Sequence, residues 1–378
     1  MHLVESLEAF CVVVPLPEPL CVWGKVITER EFVFARAQAG GQTGIGYGLG
    51  RIAGIIEIVE RHLKPLVIGR PAHAIRPTWE AARRAMRMIG EGGAFARALS
   101  IVDLALWDLH AKLIGVPIWK LLGGDRREVP CIAIAGYYQP DDPVGKVRRD
   151  AEVLAVAGYT HFKLPIGEDR DLDVRRVRAM REVVGKDALI GVDASGTFDS
   201  LKQALDVWRA IEPFDIAFLE DPFPADRWSL AIALAQRGEM PVAFGESLSA
   251  PDAVQALGSP AGVDIVRPDA THQMGLTGYL QAITPALESH KTIFPHYFPD
   301  LHAPLVAALG GAWVEESPAE ADTVGFRLLR AEQPVIQSGR WRINERPGFG
   351  IAWDEDALQR FRRCSTFTLA RSRPAPGT

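Results

Sequence analysis

The chain has 378 residues, of which 48% are hydrophobic and 24% charged, as in an ordinary globular protein with room for two domains. A formal net charge of -5 leaves no basic excess, which argues against a nucleic-acid partner. Apolar stretches stay shorter than the roughly 18 residues of a membrane span, and the first residues lack the basic start of a signal peptide. We therefore expect a cytoplasmic protein without membrane contact. Four scattered cysteines argue against a disulfide scaffold: Cys11, Cys21, Cys131 and Cys364.

The first 125 residues mix strand and helix patterns, which predicts a small α+β domain. Residues 12–14 and 22–37 are rich in β-branched and aromatic residues, and three prolines between them predict a loop. A glycine-rich stretch at 40–50 predicts a turn and lacks the lysine motif of a phosphate loop. Helical patterns follow at 52–63, which stops before a proline, and at 78–89 and 94–113.

From residue 129 onward strand and helix patterns alternate, which predicts a parallel sheet with right-handed crossovers. Seven or eight such units fit a closed TIM-like barrel better than an open α/β sheet. We assign residues 126–320 to this catalytic barrel and 1–125 to a capping domain, onto which the tail 321–378 packs back. Strands are predicted at 129–135, 159–164, 188–193, 216–220, 241–245, 263–267, 291–295 and 311–315. Helices are predicted at 143–157, 171–184, 200–211, 228–237, 250–257, 276–289 and 301–309.

Three successive strands of this barrel end on a carboxylate: Asp193, Glu220 and Glu246, spaced 27 and 26 residues apart. Because the carboxyl ends of barrel strands meet at one mouth, we expect these acids to converge. Close carboxylates repel each other unless a cation lies among them, and hard oxygen ligands in this number suit Mg²⁺. Singly, each acid could instead cap a helix or lie in solvent. Together they predict a Mg²⁺ site.

Four further residues at strand ends are candidates for catalysis. His296 follows the seventh strand and Asp269 the sixth, so the carboxylate could orient the imidazole and raise its basicity, although a loop histidine without a role is the alternative. Lys163, on the second strand, could bind a carboxylate, act as a base of lowered pKa, or extend to solvent. Glu315 ends the eighth strand, where burial near other acids would raise its pKa and let it donate a hydrogen bond to an enolate oxygen.

Several neighbouring residues receive simpler predictions. Ser195, two residues beyond a predicted metal ligand, is expected to contact a substrate hydroxyl. Tyr137 and Tyr138 follow the first barrel strand and are predicted to line the pocket. Glu316 is expected to be the solvated neighbour of the strand-end glutamate. The remaining histidines, His272 among them, are interpreted as having no role in the site.

Five motifs in this order resemble the enolase superfamily over nearly the whole chain: VDAS at 192–195, LEDP at 219–222, GES at 245–247, RPD at 267–269 and FPH at 294–296. The resemblance implies a (β/α)₇β barrel under an α+β cap, Mg²⁺ on the three strand-end acids and a symmetric homo-oligomer. The aspartate of RPD with the histidine of FPH resembles the mandelate racemase subgroup. The implied chemistry is removal of the proton α to a small-molecule carboxylate, with the enediolate stabilised by the cation.

One position departs from the family pattern. The second strand of the family usually carries Lys-x-Lys, and here Lys163 matches the first lysine while Pro165 occupies the second. Racemisation normally needs an acid or base on each face of the carbon. A dehydratase could instead use His296 to remove the α-proton, and either His296 or another acid could then protonate the departing β-hydroxyl. In this scaffold specificity is expected from capping segments such as 44–50, where Tyr47 is predicted to contact the substrate.

The sequence therefore favours a Mg²⁺-dependent dehydratase acting on a sugar acid. A racemase or epimerase of a 2-hydroxy acid is the alternative, should Lys163 reach the opposite face. A barrel that binds metal and ligand without turnover is a third interpretation, suggested by Pro165. An unrelated aldolase-like barrel would use Lys163 as a Schiff base but would leave the three acids unexplained.

Overall fold

A computed structural model gives the fold of residues 2–22, 25–50, 54–88, 90–139, 141–318 and 322–363. Cys364 and the predicted tail after it lie outside these described residues. The rest forms an antiparallel sheet with helices, followed by a ring of parallel strands surrounded by helices. This confirms the predicted capping domain and TIM-like barrel.

The cap is built on three antiparallel strands: β1 (Ser6–Val22), β2 (Lys25–Ala39) and β3 (Gln42–Leu49). The predicted proline loop is wrong, because β1 runs through the prolines and its pairing with β2 is irregular only between Pro15 and Leu20. A proline lacks the N–H that a ladder needs, and a strand edge or an irregular register tolerates this loss.

The glycine-rich stretch forms strand β3 in addition to the predicted turn. A Cβ on Gly44 would lie 2.2 Å from the carbonyl oxygen of Ala105, and one on Gly46 would lie 2.0 Å from that of Ile101. Both oxygens belong to helix α4 (Gly93–Leu113). The glycines therefore let this helix pack directly against the backbone of the sheet.

The first cap helix extends past its predicted end. A π-helical turn at Val59–Leu63 is followed directly by another helical segment, whose first turn contains Pro65. The π-helical turn changes the backbone hydrogen-bond pattern directly before Pro65, at the point where the proline N–H is missing. The helices of the cap, besides α4, are α1 (Ile55–Ile58), α2 (Lys64–Val67), α3 (Ile75–Met86) and α5 (Ile118–Leu121).

The barrel strands pair in parallel and in sequence order, and the last one returns to the first. The backbone N–H of Ala312 donates to the oxygen of Ile293 at 2.9 Å and links the remaining two neighbours. The ring is therefore closed, and all its carboxyl ends share one mouth. Its strands are β4 (Glu128–Ile134), β5 (His161–Pro165), β6 (Leu189–Asp193), β7 (Phe218–Glu220), β8 (Val242–Phe244), β9 (Ile265–Val266), β10 (Thr292–Ile293) and β11 (Val314–Glu316).

A helix follows each of the first seven barrel strands, which gives the (β/α)₇β arrangement. These helices begin and end within a few residues of their predicted limits. They are α6 (Pro143–Val156), α7 (Arg170–Val184), α8 (Leu201–Ile211), α9 (Trp228–Ala235), α10 (Pro251–Gly258), α11 (Gly275–Glu288) and α12 (Pro299–Leu309).

The tail contacts both parts of the molecule. Strand β14 pairs with β1 of the cap, while β13 pairs antiparallel with barrel strand β4. The second pairing was not predicted, because two short strands leave little alternation in a sequence. The elements of the tail are β12 (Ile336–Gln337), β13 (Arg340–Arg342), α13 (Glu355–Phe361) and β14 (Arg362–Arg363).

Polar contacts hold the cap over the mouth of the barrel. The indole of Trp79 in α3 donates to the carbonyl oxygen of Met274 at 2.8 Å. The buried carboxylate of Asp103 in α4 accepts from the backbone N–H of Thr277 at 2.9 Å and from its hydroxyl at 2.7 Å. Both partners lie at the start of α11, so the cap is fixed to the carboxyl end of the barrel. Among the described residues, no helix combines the length and apolarity needed to cross a membrane.

Candidate active site

The three acids predicted as metal ligands come together at the barrel mouth. Asp193 and Glu220 lie opposite each other in the β6–β7 ladder, and Glu246 follows β8 by two residues. The ammonium of Lys163, on β5, lies 2.9 Å from Glu220 Oε1 and 3.2 Å from Asp193 Oδ2. The ends of four neighbouring strands thus position one cation and three carboxylates.

Arg267, which the sequence interpretation missed, completes this charged cluster. Its guanidinium is fully buried, lies 2.8 Å from Glu220 Oε1 and 3.7 Å from Glu246 Oε2, and contacts Glu315. A signal for it was present, since side chains two residues apart in a strand share a side and Arg267 precedes Asp269 by two. This arginine thus neutralises part of the negative charge of the three glutamates that it approaches.

The charge states of Lys163 and Glu315 differ from the sequence expectation. Although burial opposes its charge, the carboxylates of Glu220, Glu315 and Asp193 hold the pKa of Lys163 well above its ordinary value. Burial would raise the pKa of Glu315, but Lys163 at 3.0 Å and the contacting Arg267 hold it well below its usual range. The contacts therefore favour a charged Lys163 and an ionised Glu315 over the predicted lysine base and protonated donor.

The acid cluster fits a hard cation by its chemistry. Glu220 Oε2 and Glu246 Oε2 are buried without a hydrogen-bond partner, a costly state that a cation would relieve. Burial also raises the pKa of Glu220 to about 8, against the lowering effect of the two cations beside it. Within the described residues no three acid, histidine or cysteine side chains surround a common metal-sized point. Asp193 and Glu220 instead face the ammonium of Lys163.

His296 and Asp269 form a hydrogen-bonded pair beside these acids. His296 Nδ1 lies 2.8 Å from Asp269 Oδ2, while the other oxygen of this aspartate accepts from the Thr271 N–H at 2.7 Å. Burial would raise the pKa of Asp269, but the imidazoles of His272 and His296 hold it well below its usual range. An ionised Asp269 places the proton of His296 on Nδ1 and leaves Nε2 as the acceptor.

The reactive nitrogen of His296 faces the acid cluster. Its Nε2 lies 3.5 Å from Glu246 Oε1. Burial lowers the pKa of His296, but the carboxylate charge of Glu246 and the hydrogen bond to Asp269 outweigh burial and raise it above its ordinary value. The pair has the geometry of a general base held in one tautomer.

Two more histidines lie in this region, with different surroundings. His302 donates through Nδ1 and accepts through Nε2 at backbone groups, at 2.7 and 3.1 Å, so it is a satisfied structural histidine. His272 lines the cavity, and its ring centroid is 6.0 Å from that of His296. Burial lowers its pKa to about 4, with Asp269 opposing and Arg97 contributing. His272 therefore lies at the cavity with a neutral ring, although the sequence interpretation gave it no role.

A cavity of about 420 Å³ lies between the barrel mouth and the cap. Its volume is within the usual range for a small-molecule site. Ser195, Tyr137 and Pro165 line it on the barrel side, and Ser195 Oγ lies 3.2 Å from Asp193 Oδ1. The cap contributes Arg30 from β2 and Arg97 from α4. Side chains from both the cap and the barrel thus line one cavity of substrate size.

Three of the simpler predictions are corrected by burial. Tyr47 does not line the cavity, because its fully buried ring packs between the cap sheet and the barrel, 4.7 Å from the ring of Phe326. Tyr138 hydrogen-bonds Asp173 behind the first barrel strand instead of lining the pocket. Glu316 is buried beside an arginine and is not solvated.

Family models match most of the chain. The mandelate racemase / muconate lactonizing enzyme N-terminal domain matches residues 6–123, and the enolase C-terminal domain-like family matches residues 146–357. The chain belongs to the enolase superfamily. Within the superfamily it falls in the mandelate racemase subgroup, as the resemblance of the motifs implied.

Relatives within this superfamily include sugar acid dehydratases. The chain is 29% identical to an arabinonate dehydratase of Saccharolobus solfataricus over 84% of its own length and 87% of that protein. An L-talarate dehydratase from Polaromonas sp., crystallised with Mg and L-glucarate, is 27% identical with a TM-score of 0.86, covering 96% of this chain and 98% of the other. A racemase from Streptomyces coelicolor, crystallised with bound magnesium, is 25% identical with a TM-score of 0.87, over 96% and 100% of the two chains.

Proposed function

We propose that this superfamily member dehydrates a sugar acid to a 2-keto-3-deoxy acid with the help of Mg²⁺. The observation that carries the proposal is the His296–Asp269 pair facing the carboxylate cluster, together with Pro165 of β5 in the wall of the same cavity. One face of a bound substrate then meets the base His296. The face toward β5 meets the side chain of Pro165, which cannot transfer a proton.

In the proposed reaction His296 does the proton transfer. Its Nε2 takes the proton α to the substrate carboxylate, and the electrons of the C–H bond form an enediolate. The imidazolium is stabilised by Asp269 and then protonates the β-hydroxyl, which leaves as water while the electrons form the C=C bond of an enol. The enol becomes the 2-keto product. One histidine thus serves as base and then as acid, which elimination on a single face permits.

The residues proposed to hold Mg²⁺ are Asp193, Glu220 and Glu246. The ion supplies positive charge to the substrate carboxylate oxygens, which makes the α-proton more acidic. Lys163 lies 3.2 and 2.9 Å from two of the same acids, Asp193 and Glu220, and adds a hydrogen-bonding cation at that end. Glu315 lies 3.0 Å from the ammonium of Lys163 and positions this lysine. We propose this role in place of the predicted hydrogen bond from Glu315 to an enolate oxygen. Ser195 and Tyr137 remain proposed substrate contacts.

A racemase remains the second candidate because a structural neighbour from Streptomyces coelicolor is described as one. Racemisation would require a base on the β5 side of the cavity. Lys163 is the residue on that strand with the right chemistry, but three carboxylates bind its ammonium. We therefore favour dehydration.

The test is turnover of a panel of four- to six-carbon sugar acids with Mg²⁺, assayed for 2-keto-3-deoxy acids. We expect dehydration of at least one acid, loss of activity with a chelator and its return with added Mg²⁺. Exchange of the α-proton with solvent deuterium, without dehydrated product, would support the racemase. Neither turnover nor exchange across the panel would reject both and favour a barrel that only binds its ligand.

A further inference from the structure

Arg30 is a buried cation at the cap side of the cavity. It lies on β2, where its side chain falls in the same alternation as Phe32 and Phe34, and it is only 5% exposed. Its Nε donates to the carbonyl oxygen of Thr323 at 3.2 Å, and the residue lines the cavity. In the part of the chain that the structure describes, no Asp or Glu oxygen comes within 4.0 Å of its guanidinium.

The surrounding acids do not supply a missing partner. Asp322, next to the residue that accepts from Arg30, is engaged by the backbone N–H groups of Val324 and Gly325, both at 2.9 Å. A guanidinium stays charged, and a buried charge without a counter-charge is costly. The carbonyl contact satisfies one donor and leaves the charge uncompensated. The arrangement therefore favours an anion supplied by a ligand.

This cation comes from a different part of the molecule than the proposed catalytic residues. Lys163, the three acids and His296 belong to the barrel strands, whereas Arg30 comes from the cap. Arg97 of α4 also lines the cavity and donates to the carbonyl oxygen of Leu49 at 3.4 Å. The cap thus adds two positively charged side chains to the wall of the cavity.

We infer that the substrate is a sugar diacid, whose second carboxylate binds Arg30. This deepens the proposed function and rests on it for the position of the first carboxylate. A planar guanidinium matches a carboxylate by two parallel hydrogen bonds, which a neutral terminal hydroxymethyl group cannot replace. Diacids are therefore selected over the monoacids that differ from them only at the far carbon.

The experiment compares each diacid with its monoacid counterpart, for example galactarate with galactonate and glucarate with gluconate, across the configurations of the sugar panel. Dissociation constants are measured with Mg²⁺ by calorimetry in a His296→Asn background, so that binding is read without turnover. We expect at least one diacid to bind roughly 10- to 100-fold more tightly than its monoacid counterpart, the usual range for a charge-assisted hydrogen bond.

Variants of Arg30 identify the group responsible. Arg30→Met should weaken the diacid by roughly 10- to 100-fold and the monoacid by less than about threefold, and Arg30→Lys should restore part of the difference. Arg36→Gln is the matched control, since Arg36 lies on the same strand and pairs with exposed Glu355 at 2.5 Å. It should leave the preference unchanged.

Equal binding of diacids and monoacids, or an equal loss for both in Arg30→Met, would overturn the inference. Turnover is measured separately in the wild-type enzyme. Dehydration of monoacids with no Arg30-dependent preference would leave the proposed function intact and reject the diacid. Selective diacid binding without dehydration or α-proton exchange would support the diacid site and reject the proposed reaction.

Discussion

Substitution of Asp269 by asparagine tests how the histidine base is prepared. The two oxygens of Asp269 accept from the Thr271 N–H at 2.7 Å and face His296 Nδ1 at 2.8 Å. An asparagine must keep its oxygen on the Thr271 N–H, because that donor is buried and needs an acceptor. Its NH₂ group then faces His296 and donates to Nδ1. The imidazole proton moves to Nε2, the nitrogen that should accept the α-proton.

The expected loss has two parts. Removal of a charge-assisted hydrogen bond is worth about 1.5–3 kcal/mol, or roughly 10- to 100-fold in rate. The reversed tautomer adds to this, and the corresponding change in a serine protease triad costs about 10⁴-fold. We therefore expect kcat of Asp269→Asn to fall by about 10³- to 10⁴-fold.

The assay is turnover of the best sugar acid with saturating Mg²⁺, together with calorimetric titration of the metal. Asp264→Asn provides a matched control, because Asp264 also accepts a backbone N–H, at 2.9 Å, but lies before β9 instead of after it. We expect the control to keep its activity and both variants to keep their Mg²⁺ affinity. A kcat of Asp269→Asn within threefold of the wild type would refute the role given to this aspartate.

Three further changes probe the charge cluster and the cap. Lys163→Met should lower the free energy of unfolding of the metal-free protein, measured in urea, by about 3–5 kcal/mol, because three carboxylates lose their cation. Added Mg²⁺ should restore part of this loss. An unchanged urea midpoint would show that Lys163 does not stabilise the three carboxylates. Gly46→Ala should cost about 2 kcal/mol or more, since the new Cβ would lie 2.0 Å from a carbonyl oxygen of α4; a smaller loss would show that the helix can move. Burial raises the pKa of Asp103 to about 7, against the hydrogen bonds from Thr277, so its stabilising protonated form is lost as pH rises from about 4 to about 7. The free energy of unfolding, measured in urea, should fall across this window by up to about 4 kcal/mol for this group, and Asp103→Asn should flatten the fall.

The barrel and the order of its strands could be predicted because their signals are local. Each strand is a short apolar run, and strand-end acids recur at intervals of one strand and one helix. The cap was harder to predict. Gly44 and Gly46 read as a turn in isolation, yet they lie in a strand because α4 packs against them. The local sequence pattern around these glycines does not indicate that a helix packs against them.

The site shows the same division. The residues at strand ends followed from the barrel, including His296 and Asp269. Arg267 was missed although its spacing of two residues from Asp269 was a signal. Arg30 offered no such signal, because a buried arginine in a cap strand is recognised only from the charges and spaces around it. Tyr47 was misjudged for the opposite reason. It lies in a capping segment, but Phe34 and Phe326 stack against it and remove it from the cavity. The homo-oligomer and the cytoplasmic location remain predictions.

Removal of the α-proton by His296 tests the central claim most directly. The measurement is release of deuterium into water from an α-deuterated sugar acid, for the wild type and His296→Asn, each with saturating Mg²⁺. We expect a loss of about 10²- to 10⁴-fold in the variant, the usual contribution of a general base, with an unchanged dissociation constant for Mg²⁺. Release at the wild-type rate would show that a group other than His296 removes the proton.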